Sequence, residues 1–354
     1  MLGSLTRTVV ALLALFALAA SQVRAQSPQE FYKGKLLTIT VGYGPGGGYD
    51  LFARLVAKHI GRHIAGNPSV IVQNMPGAGS LIAANYLYTV APRDGSAFGL
   101  FARDLPLLGI MGHNDKIQFD PRKYTWLGSS SDFSDDAYVM VVRDDAPAKT
   151  IDYMRTAREP LMVLGGTADG TSGADVPRIL QQALGLNMKL VLGYRDSAAI
   201  FLAIERNEVF GRITDLSAIR ASRAAWLKPG GGYRILLQFA RIKRHPDFPD
   251  VPTALELATT EAGRKLIEFT ETPLLTMARP FVAPPGVPAD RAKVLQAAFM
   301  ATHRDPQFLD EATRSGLYVS PVGPEQVMES LEQMSRTPPE LIDRLRKILE
   351  GRGG

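Results

Sequence analysis

The sequence predicts an α/β protein in which strands alternate with helices, and two observations support this prediction. A short apolar segment rich in β-branched residues, a glycine-containing loop and a helix start follow one another four times, with loops at residues 42–48, 75–80, 165–173 and 193–197. In such folds the loops after successive parallel strands meet at one edge of the sheet. The chain also has 354 residues and no cysteine, so a large apolar core, most often divided between two domains, must stabilise it.

Residues 1–25 have the layout of a secretory signal peptide. Arg7 precedes an apolar segment that runs from Val9 to Ala20, and Val23-Arg24-Ala25 is a small-x-small cleavage site. The apolar segment is too short to span a bilayer as a helix. We therefore predict cleavage after Ala25 and export of the mature chain.

Charge and cysteine content narrow the classes of function. The chain has 40 basic and 35 acidic residues, and loss of residues 1–25 removes Arg7 and Arg24, which leaves 38 − 35 = +3. So small an excess, without a basic cluster, argues against nucleic-acid binding. The absence of cysteine excludes disulfides, thiol catalysis and cysteine–zinc sites.

The first strand, loop and helix form a predicted anion site. Leu36–Val41 has the composition of a buried strand, five glycines and a proline follow in residues 42–48, and a helix is expected to begin near Asp50. Its apolar face is expected to contain Leu51, Leu55 and Ile60. Because glycine allows close backbone approach and the first helical turn has unpaired N–H groups, a carboxylate is expected to bind here. A loop that only turns the chain is the alternative.

The same residues satisfy a dinucleotide fingerprint, Gly42-x-Gly44-x-x-Gly47, which would make the protein a nicotinamide-dependent oxidoreductase. That fingerprint also requires an acidic residue at the end of the second strand, to bind a ribose hydroxyl. The second strand, Val70-Ile71-Val72, ends instead in Gln73-Asn74. We therefore disfavour an NAD enzyme and expect no cofactor.

Two further loops contain candidate ligand groups. In the second loop, Ser80 is a candidate cap for the helix that follows. In the third, the hydroxyls of Thr167, Thr171 and Ser172 add side-chain donors. The run Gly170-Thr171-Ser172-Gly173 misses the Gly-x-Ser-x-Gly nucleophile elbow because residue 174 is alanine, and no histidine is placed as a base. Tight helix–strand packing and a polar surface turn are the alternatives for these loops.

A metal site is not expected. His59 and His63 are four residues apart and could share a helix face, but the sequence between them lacks the glutamate of a zinc protease and indicates no third ligand. We interpret them as residues on a solvated helix face.

Taken together, six segments in this order resemble the substrate-binding proteins of tripartite tricarboxylate transporters, the Bug or TctC-type family. The resemblance covers nearly the whole mature chain. The segments are Gly46-Gly47-Gly48-Tyr49-Asp50 with Ala53-Arg54, Asn74-Met75-Pro76-Gly77-Ala78-Gly79, Ala91-Pro92-Arg93-Asp94-Gly95, Tyr194-Arg195-Asp196-Ser197, Phe248-Pro249-Asp250-Val251-Pro252-Thr253 and Ala283-Pro284-Pro285-Gly286-Val287-Pro288.

The resemblance implies a two-lobed periplasmic binding protein of the type II, Venus-flytrap class, with a mostly parallel sheet flanked by helices in each lobe. Residues 26–127 and 240–354 would form lobe 1, and residues 128–239 lobe 2. The implied function is capture of a small carboxylate in the periplasm by a monomer that delivers it to membrane transporter subunits, without catalysis. A ligand-sensing partner of a membrane receptor would use the same cleft and is the alternative.

The resemblance also implies which residues bind the ligand. In lobe 1 these are Gly47, Gly48, Tyr49, Asp50, Ala78, Gly79 and Ser80, and in lobe 2 they are Thr167, Thr171, Ser172, Tyr194, Ser197 and Asp215. Two residues depart from the family pattern: Tyr49 replaces a small threonine and Asp196 replaces a glycine. If Asp196 faces the cleft, it is expected to repel a second ligand carboxylate or to favour an amine.

Overall fold

The computed structural model describes residues 26–112, 115–133, 136–156, 159 and 161–350. The predicted signal peptide therefore lies outside the described residues. Within them, no helix combines the length and the apolar character that crossing a membrane requires.

Strands and helices alternate over the first two thirds of the described chain, and helices dominate the last third. The strands are β1 (Leu36–Val41), β2 (Ser69–Asn74), β3 (Ala97–Leu100), β4 (Thr125–Ser129), β5 (Tyr138–Arg143), β6 (Met162–Gly165), β7 (Met188–Val191), β8 (Gly211–Asp215), β9 (Tyr233–Phe239) and β10 (Pro280–Ala283). The helices are α1 (Pro28–Tyr32), α2 (Gly48–Ile60), α3 (Leu81–Thr89), α4 (Leu105–Met111), α5 (Ile151–Thr156), α6 (Ser172–Leu184), α7 (Ser197–Glu205), α8 (Leu216–Arg223), α9 (Ala254–Leu257), α10 (Glu261–Thr276), α11 (Ala289–Thr302), α12 (Pro306–Arg314), α13 (Pro324–Ser335) and α14 (Pro339–Leu349).

The strands form two five-stranded sheets, with the orders β2-β1-β3-β10-β4 and β7-β6-β8-β5-β9. In the first, β1 runs parallel to β2 and β3, whereas β10 is antiparallel to β3 and β4. In the second, β6 runs parallel to β7 and β8, and β5 is antiparallel to β8 and β9. The two lobes therefore share one topology, mostly parallel with one reversed strand; the mostly parallel sheets were expected, and the reversed strands were not.

The chain crosses between the sheets twice, after β4 and again between β9 and β10. The first sheet therefore includes residues to Ser129, two beyond the boundary expected at 127, and β9 ends the second sheet's strands at Phe239. The lobe boundaries as a whole stay a prediction. Helices α10 and α14, from the expected lobe 1 segment 240–354, pack against α6 of the second lobe.

Apolar side chains of α2, α11 and α12 pack on one face of the first sheet, around Ile39, Phe98 and Phe281. The largest buried cluster continues from the first sheet to the second through α6, α10, α13 and α14. A core shared in this way holds the two sheets close to each other.

Helix α2 differs in two details from its predicted pattern. It begins at Gly48, and although Leu55 and Ile60 are buried, Leu51 is 42% exposed because Phe52 and Val56 occupy the buried face instead. The interpretation of His59 as solvated was wrong. Its buried ring pairs with Glu311 of α12 at 2.9 Å, and His63 pairs with Asp305 at 2.8 Å.

Candidate functional site

The two sheets present the carboxyl ends of their parallel strands to each other. Register places the last residues of β1 and β2, Val41 and Asn74, side by side, so the loops that follow leave at the same edge. A Cβ atom on Gly79, in the loop after β2, would lie 3.0 Å from the carbonyl oxygen of Gly170 and 3.1 Å from Thr171 Cγ2, in the loop after β6. This edge-to-edge arrangement forms a cleft between the lobes, where ligands of open α/β sheets bind.

An ion pair joins the lobes across this cleft. Nη1 of Arg103, which follows β3, donates to Oδ1 of Asp215, the last residue of β8, at 2.6 Å, and the two side chains are 2% and 15% exposed. The Arg103 guanidinium also lies over the rings of Phe133 and Tyr138, at 5.1 and 5.7 Å from their centroids. Burial alone would raise the pKa of Asp215, but the charges of Arg103 and Arg279 outweigh it and hold that pKa below its usual value.

Tyr49 is part of the wall beside this pair. Its hydroxyl accepts from the backbone N–H of Arg103 at 3.2 Å and from Nε of the same residue at 3.0 Å. Its ring stacks on Tyr43 with centroids 4.5 Å apart. Tyr49 therefore positions Arg103 and fills space in the cleft that a threonine would leave open.

Arg279 is a second buried guanidinium in the cleft. It immediately precedes β10, its side chain is 9% exposed, and it lies over the Tyr49 ring at 4.8 Å. Nη1 donates to the carbonyl of Ala278, Nη2 lies 4.0 Å from Oδ2 of Asp215, and Nε has no hydrogen-bond partner in the described part of the chain. Nη2 is also 3.5 Å from where a Cβ atom on Gly48 would be, next to the first turn of α2.

The loop after β2 is a left-handed turn. Four consecutive residues, Gly77, Ala78, Gly79 and Ser80, have φ values of 140°, 47°, 61° and 77°. Positive φ is uncommon for alanine and serine, and such strain concentrates at ligand sites. The Ser80 hydroxyl does not cap α3 as predicted. It accepts from the Ala102 amide at 3.1 Å and lies 1.6 Å from where a Cβ atom on Gly42 would be, so only glycine fits at residue 42.

Asp50 lies under the first glycine loop rather than in the open cleft. Oδ2 accepts from the Gly46 amide at 2.8 Å and from Arg54 Nε at 2.9 Å, and Oδ1 accepts from Asn74 Nδ2 at 2.8 Å. Asn74 donates in addition to the carbonyl of Tyr43. Asp50 thus connects the loop that contains Gly47 and Gly48 to α2 and β2. Both of its carboxylate oxygens accept hydrogen bonds within the first lobe.

The lobe 2 residues divide into two groups. Thr167 and Thr171 hydrogen-bond each other at 2.6 Å at the start of α6, next to Ser172, close to the first lobe. Tyr194 and Ser197 lie one loop further along, after β7. Asp196 caps α7 by accepting from the Ala199 amide at 2.8 Å and pairs with Arg195, so its carboxylate is used within its own lobe.

Two buried acids face each other where α4 meets α6. Asp104, Asp175 and Ser172 line a cavity of about 30 Å³ whose other walls are largely apolar side chains of α4, α6, α10 and α14. Burial raises the pKa of Asp104 to about 6, against the opposing influence of Arg103 and Ser172. Burial, with the charge of Asp104, raises the pKa of Asp175 to about 8, although Arg178 lies 3.8 Å away and opposes the rise.

Sequence reasoning missed three charged residues in this region: Arg103, Asp104 and Arg279. The first two could have been found, because they follow β3 and the same edge rule applies to every parallel strand. Arg279 gave no such signal. It precedes a strand whose reversed direction brings its N-terminal end to the same edge.

Replacing Gly79 by alanine is expected to weaken ligand binding by several-fold, because the new Cβ atom would press on Gly170 and Thr171 and hinder approach of the lobes. The left-handed φ adds about 1–2 kcal/mol of strain. Gly112→Ala is the matched control, since Gly112 has φ 59° and open space around it. Both variants should lose similar stability in thermal unfolding. Equal ligand affinities by calorimetry would show that the Gly79 contact does not govern closure.

Comparison with known proteins agrees with this geometry. The family model for the tripartite tricarboxylate transporter family receptor, TctC, matches residues 52–347, most of the chain. The chain belongs to the TctC family. A curated relative of this TctC protein, a UPF0065 protein of Bordetella pertussis, is 27% identical over 312 residues, which cover 85% of each chain.

Solved structures show the same fold as this TctC protein. The periplasmic binding protein BugD matches with a TM-score of 0.66 at 20% identity, over 90% of this chain and 98% of BugD. MatC from Rhodopseudomonas palustris, with bound malate, matches with a TM-score of 0.63 at 20% identity, over 89% of this chain and 99% of MatC. The predicted family resemblance and the two-lobed α/β fold are confirmed.

Proposed function

We propose that this TctC-family protein is a periplasmic solute-binding protein that captures a small carboxylated organic molecule between its lobes. It then delivers the molecule to the membrane subunits of a tripartite tricarboxylate-type transporter, without chemical change. The observation that carries the proposal is the buried Arg279 guanidinium in the cleft, which has no close carboxylate partner of its own among the described residues. Arg103 already pairs with Asp215 at 2.6 Å, and Nη2 of Arg279 lies 4.0 Å from the same carboxylate. A buried charge without a partner is costly, so an anion is the fitting occupant.

This proposal changes the chemistry that the sequence suggested. From the glycine loops alone, backbone amides were expected to hold the carboxylate without a buried cation. The first turn of α2 still offers the amides of Gly48 and Tyr49, and the left-handed turn at Ala78 and Gly79 faces the second lobe. The proposed site adds Arg279 to them, and a guanidinium gives a stronger, charge-assisted hydrogen bond than an amide does.

The residues of the predicted site have different roles in this proposal. Gly47, Gly48, Ala78, Gly79, Thr167, Thr171 and Ser172 surround the ligand. Tyr49, Asp50, Ser80 and Asp215 position the groups around it, and Asp215 is also a direct contact. Tyr194 and Ser197 form the outer part of the cleft. The malate in MatC, a carboxylate bound by a protein with the same fold, is consistent with this class of ligand.

The capture step is tested by thermal unfolding with a panel of dicarboxylates, 2-hydroxy acids, amino acids and aromatic acids. A ligand at 100 times its dissociation constant should add about 2.7 kcal/mol to the free energy of unfolding. The methyl ester of the same acid is the matched control and should add much less, because it lacks the charge. If no acid in the panel stabilises the protein, capture of a carboxylate is rejected.

Export and delivery need separate measurements. We expect the mature protein in the periplasmic fraction, beginning at Gln26, and co-purification of transporter membrane subunits with the liganded protein. Recovery of a membrane kinase in place of a transporter would instead indicate a ligand-sensing partner.

A further inference from the structure

We propose that Arg279 and Asp215 form a two-point site that selects an acid with a hydrogen-bond donor on the carbon next to its carboxylate, that is, a 2-hydroxy or 2-amino acid. The inference rests on the proposed function and deepens it by naming the class of ligand and the residues that distinguish it.

The first point is the Arg279 guanidinium, which would bind the carboxylate. Its side chain is nine-tenths buried, and among the described residues its Nε has no hydrogen-bond partner and Nη1 alone donates a hydrogen bond, to the carbonyl of Ala278. Nη2 points to the region of Gly48, where the first turn of α2 contributes unpaired N–H groups. The helix start and the guanidinium together therefore favour an anion at this position.

The second point is Oδ2 of Asp215, which would accept a hydrogen bond from the neighbouring ligand group. Arg103 occupies Oδ1 at 2.6 Å, whereas Oδ2 has no hydrogen bond in the described part of the chain, and the side chain is 15% exposed. Oδ2 lies 4.0 Å from Nη2 of Arg279, beyond a good hydrogen bond. A donor and an acceptor at this spacing suit a carboxylate and a hydroxyl or ammonium group on adjacent carbons.

The charge of Asp215 also determines which ligands the site disfavours. A second ligand carboxylate beside Oδ2 would meet a like charge, which is unfavourable in a buried site. A ligand with only hydrogen atoms on that carbon would leave Oδ2 desolvated and without a partner, and an unmet hydrogen bond to a charged group costs about 1.5–3 kcal/mol. The cost corresponds to an affinity difference of roughly 10- to 150-fold.

Matched acids test the inference by isothermal calorimetry on the mature protein: malate with succinate, and lactate with propionate. Within each pair only the 2-hydroxyl differs. We expect at least one 2-hydroxy acid to bind about tenfold or more tightly than its partner. Arg279→Gln should weaken binding of both members of the pair by about 10- to 100-fold. Asp215→Asn, which keeps an oxygen for Arg103, should reduce the preference for the hydroxy acid to within about threefold.

Arg314→Gln, an exposed arginine on α12, is the control and should bind like the wild type. Thermal unfolding verifies that each variant is folded, and Arg279→Lys, which keeps the charge but not the fork geometry, replaces Arg279→Gln if that variant does not fold. Equal binding of hydroxy acid and deoxy acid by the wild type overturns the inference, as does unchanged affinity in the Arg279 variant that folds. Each of these results overturns the inference but leaves carboxylate capture standing. The same holds if the protein binds only acids that lack a 2-hydroxyl or 2-amino group. Failure of every acid rejects both proposals.

Discussion

Replacing Asp215 by alanine is expected to lower the free energy of unfolding by about 3–5 kcal/mol, because it leaves the Arg103 guanidinium buried without its counter-ion. The Arg103 side chain is only 2% exposed, and its surroundings are the rings of Tyr49, Phe133 and Tyr138. These rings supply some cation–π attraction, but they cannot replace a carboxylate at 2.6 Å. Urea unfolding of the unliganded protein measures the effect.

A double-mutant cycle separates the ion pair from its surroundings. Arg103→Met alone should cost less than Asp215→Ala, since Asp215 still has Arg279 4.0 Å away. The double variant should recover part of the loss, because no unpaired charge is then buried. The exposed pair of Asp310 and Arg314 is the control, and Asp310→Ala should change stability by less than about 1 kcal/mol. If Asp215→Ala lowers the free energy of unfolding no more than this control does, the Arg103–Asp215 pair does not stabilise the folded protein.

The Asp175→Asn variant is expected to gain stability relative to the wild type as the pH rises from about 4 to 8. The folded protein keeps a proton on Asp175, whose pKa burial raises to about 8, whereas the unfolded chain releases that proton near pH 4. Folding therefore binds a proton in this window, and the wild type loses stability with rising pH. Asparagine does not titrate, so the free energy of unfolding of the variant should rise relative to that of the wild type by roughly 5 kcal/mol across this window.

The surroundings of Asp175 account for the pH range over which this effect is expected. Asp104, Arg178, Asp169 and the Gly170 amide act on the Asp175 carboxyl group, Ser172 and Thr270 also line the cavity, and its other lining residues are apolar. Unfolding is measured at pH 5 and pH 8.5, with Asp310→Asn as the exposed control. His303 is a useful contrast: burial lowers its pKa to about 4, so its contribution is lost as the pH falls from about 6.5 to 4. A constant difference between Asp175→Asn and the wild type at both pH values would contradict a buried protonated carboxyl group.

Most of the fold was predictable because its signals are local. The alternation of apolar strand, glycine loop and helix start predicted the parallel strands, and four of the loops at the facing edges were identified from sequence. The reversed strand β10 was not predictable as such. Its direction depends on the place where the chain returns to the first sheet. The four residues of the strand, Pro280–Ala283, do not indicate that place.

The site was predictable only in part, because a residue type does not specify its partner. Glycines at residues 47, 48 and 79 were assigned to the cleft from the loop pattern. Asp50 and Ser80 were assigned to the ligand, but their oxygens are used by Gly46, Arg54, Asn74 and Ala102. Asp196 was expected to affect ligand choice only if it faced the cleft, and its carboxylate instead caps α7.

The sequence by itself determined that this chain is an α/β protein of the TctC family with glycine-rich helix starts, since these properties reside in short contiguous segments. Only the tertiary structure decided the electrostatics of the cleft. Arg103 and Asp215 are 112 residues apart, and Arg279 reaches the same place on a strand of opposite direction. Charges interact through distance in space and through the burial that excludes water, and neither is written in the order of residues along the chain.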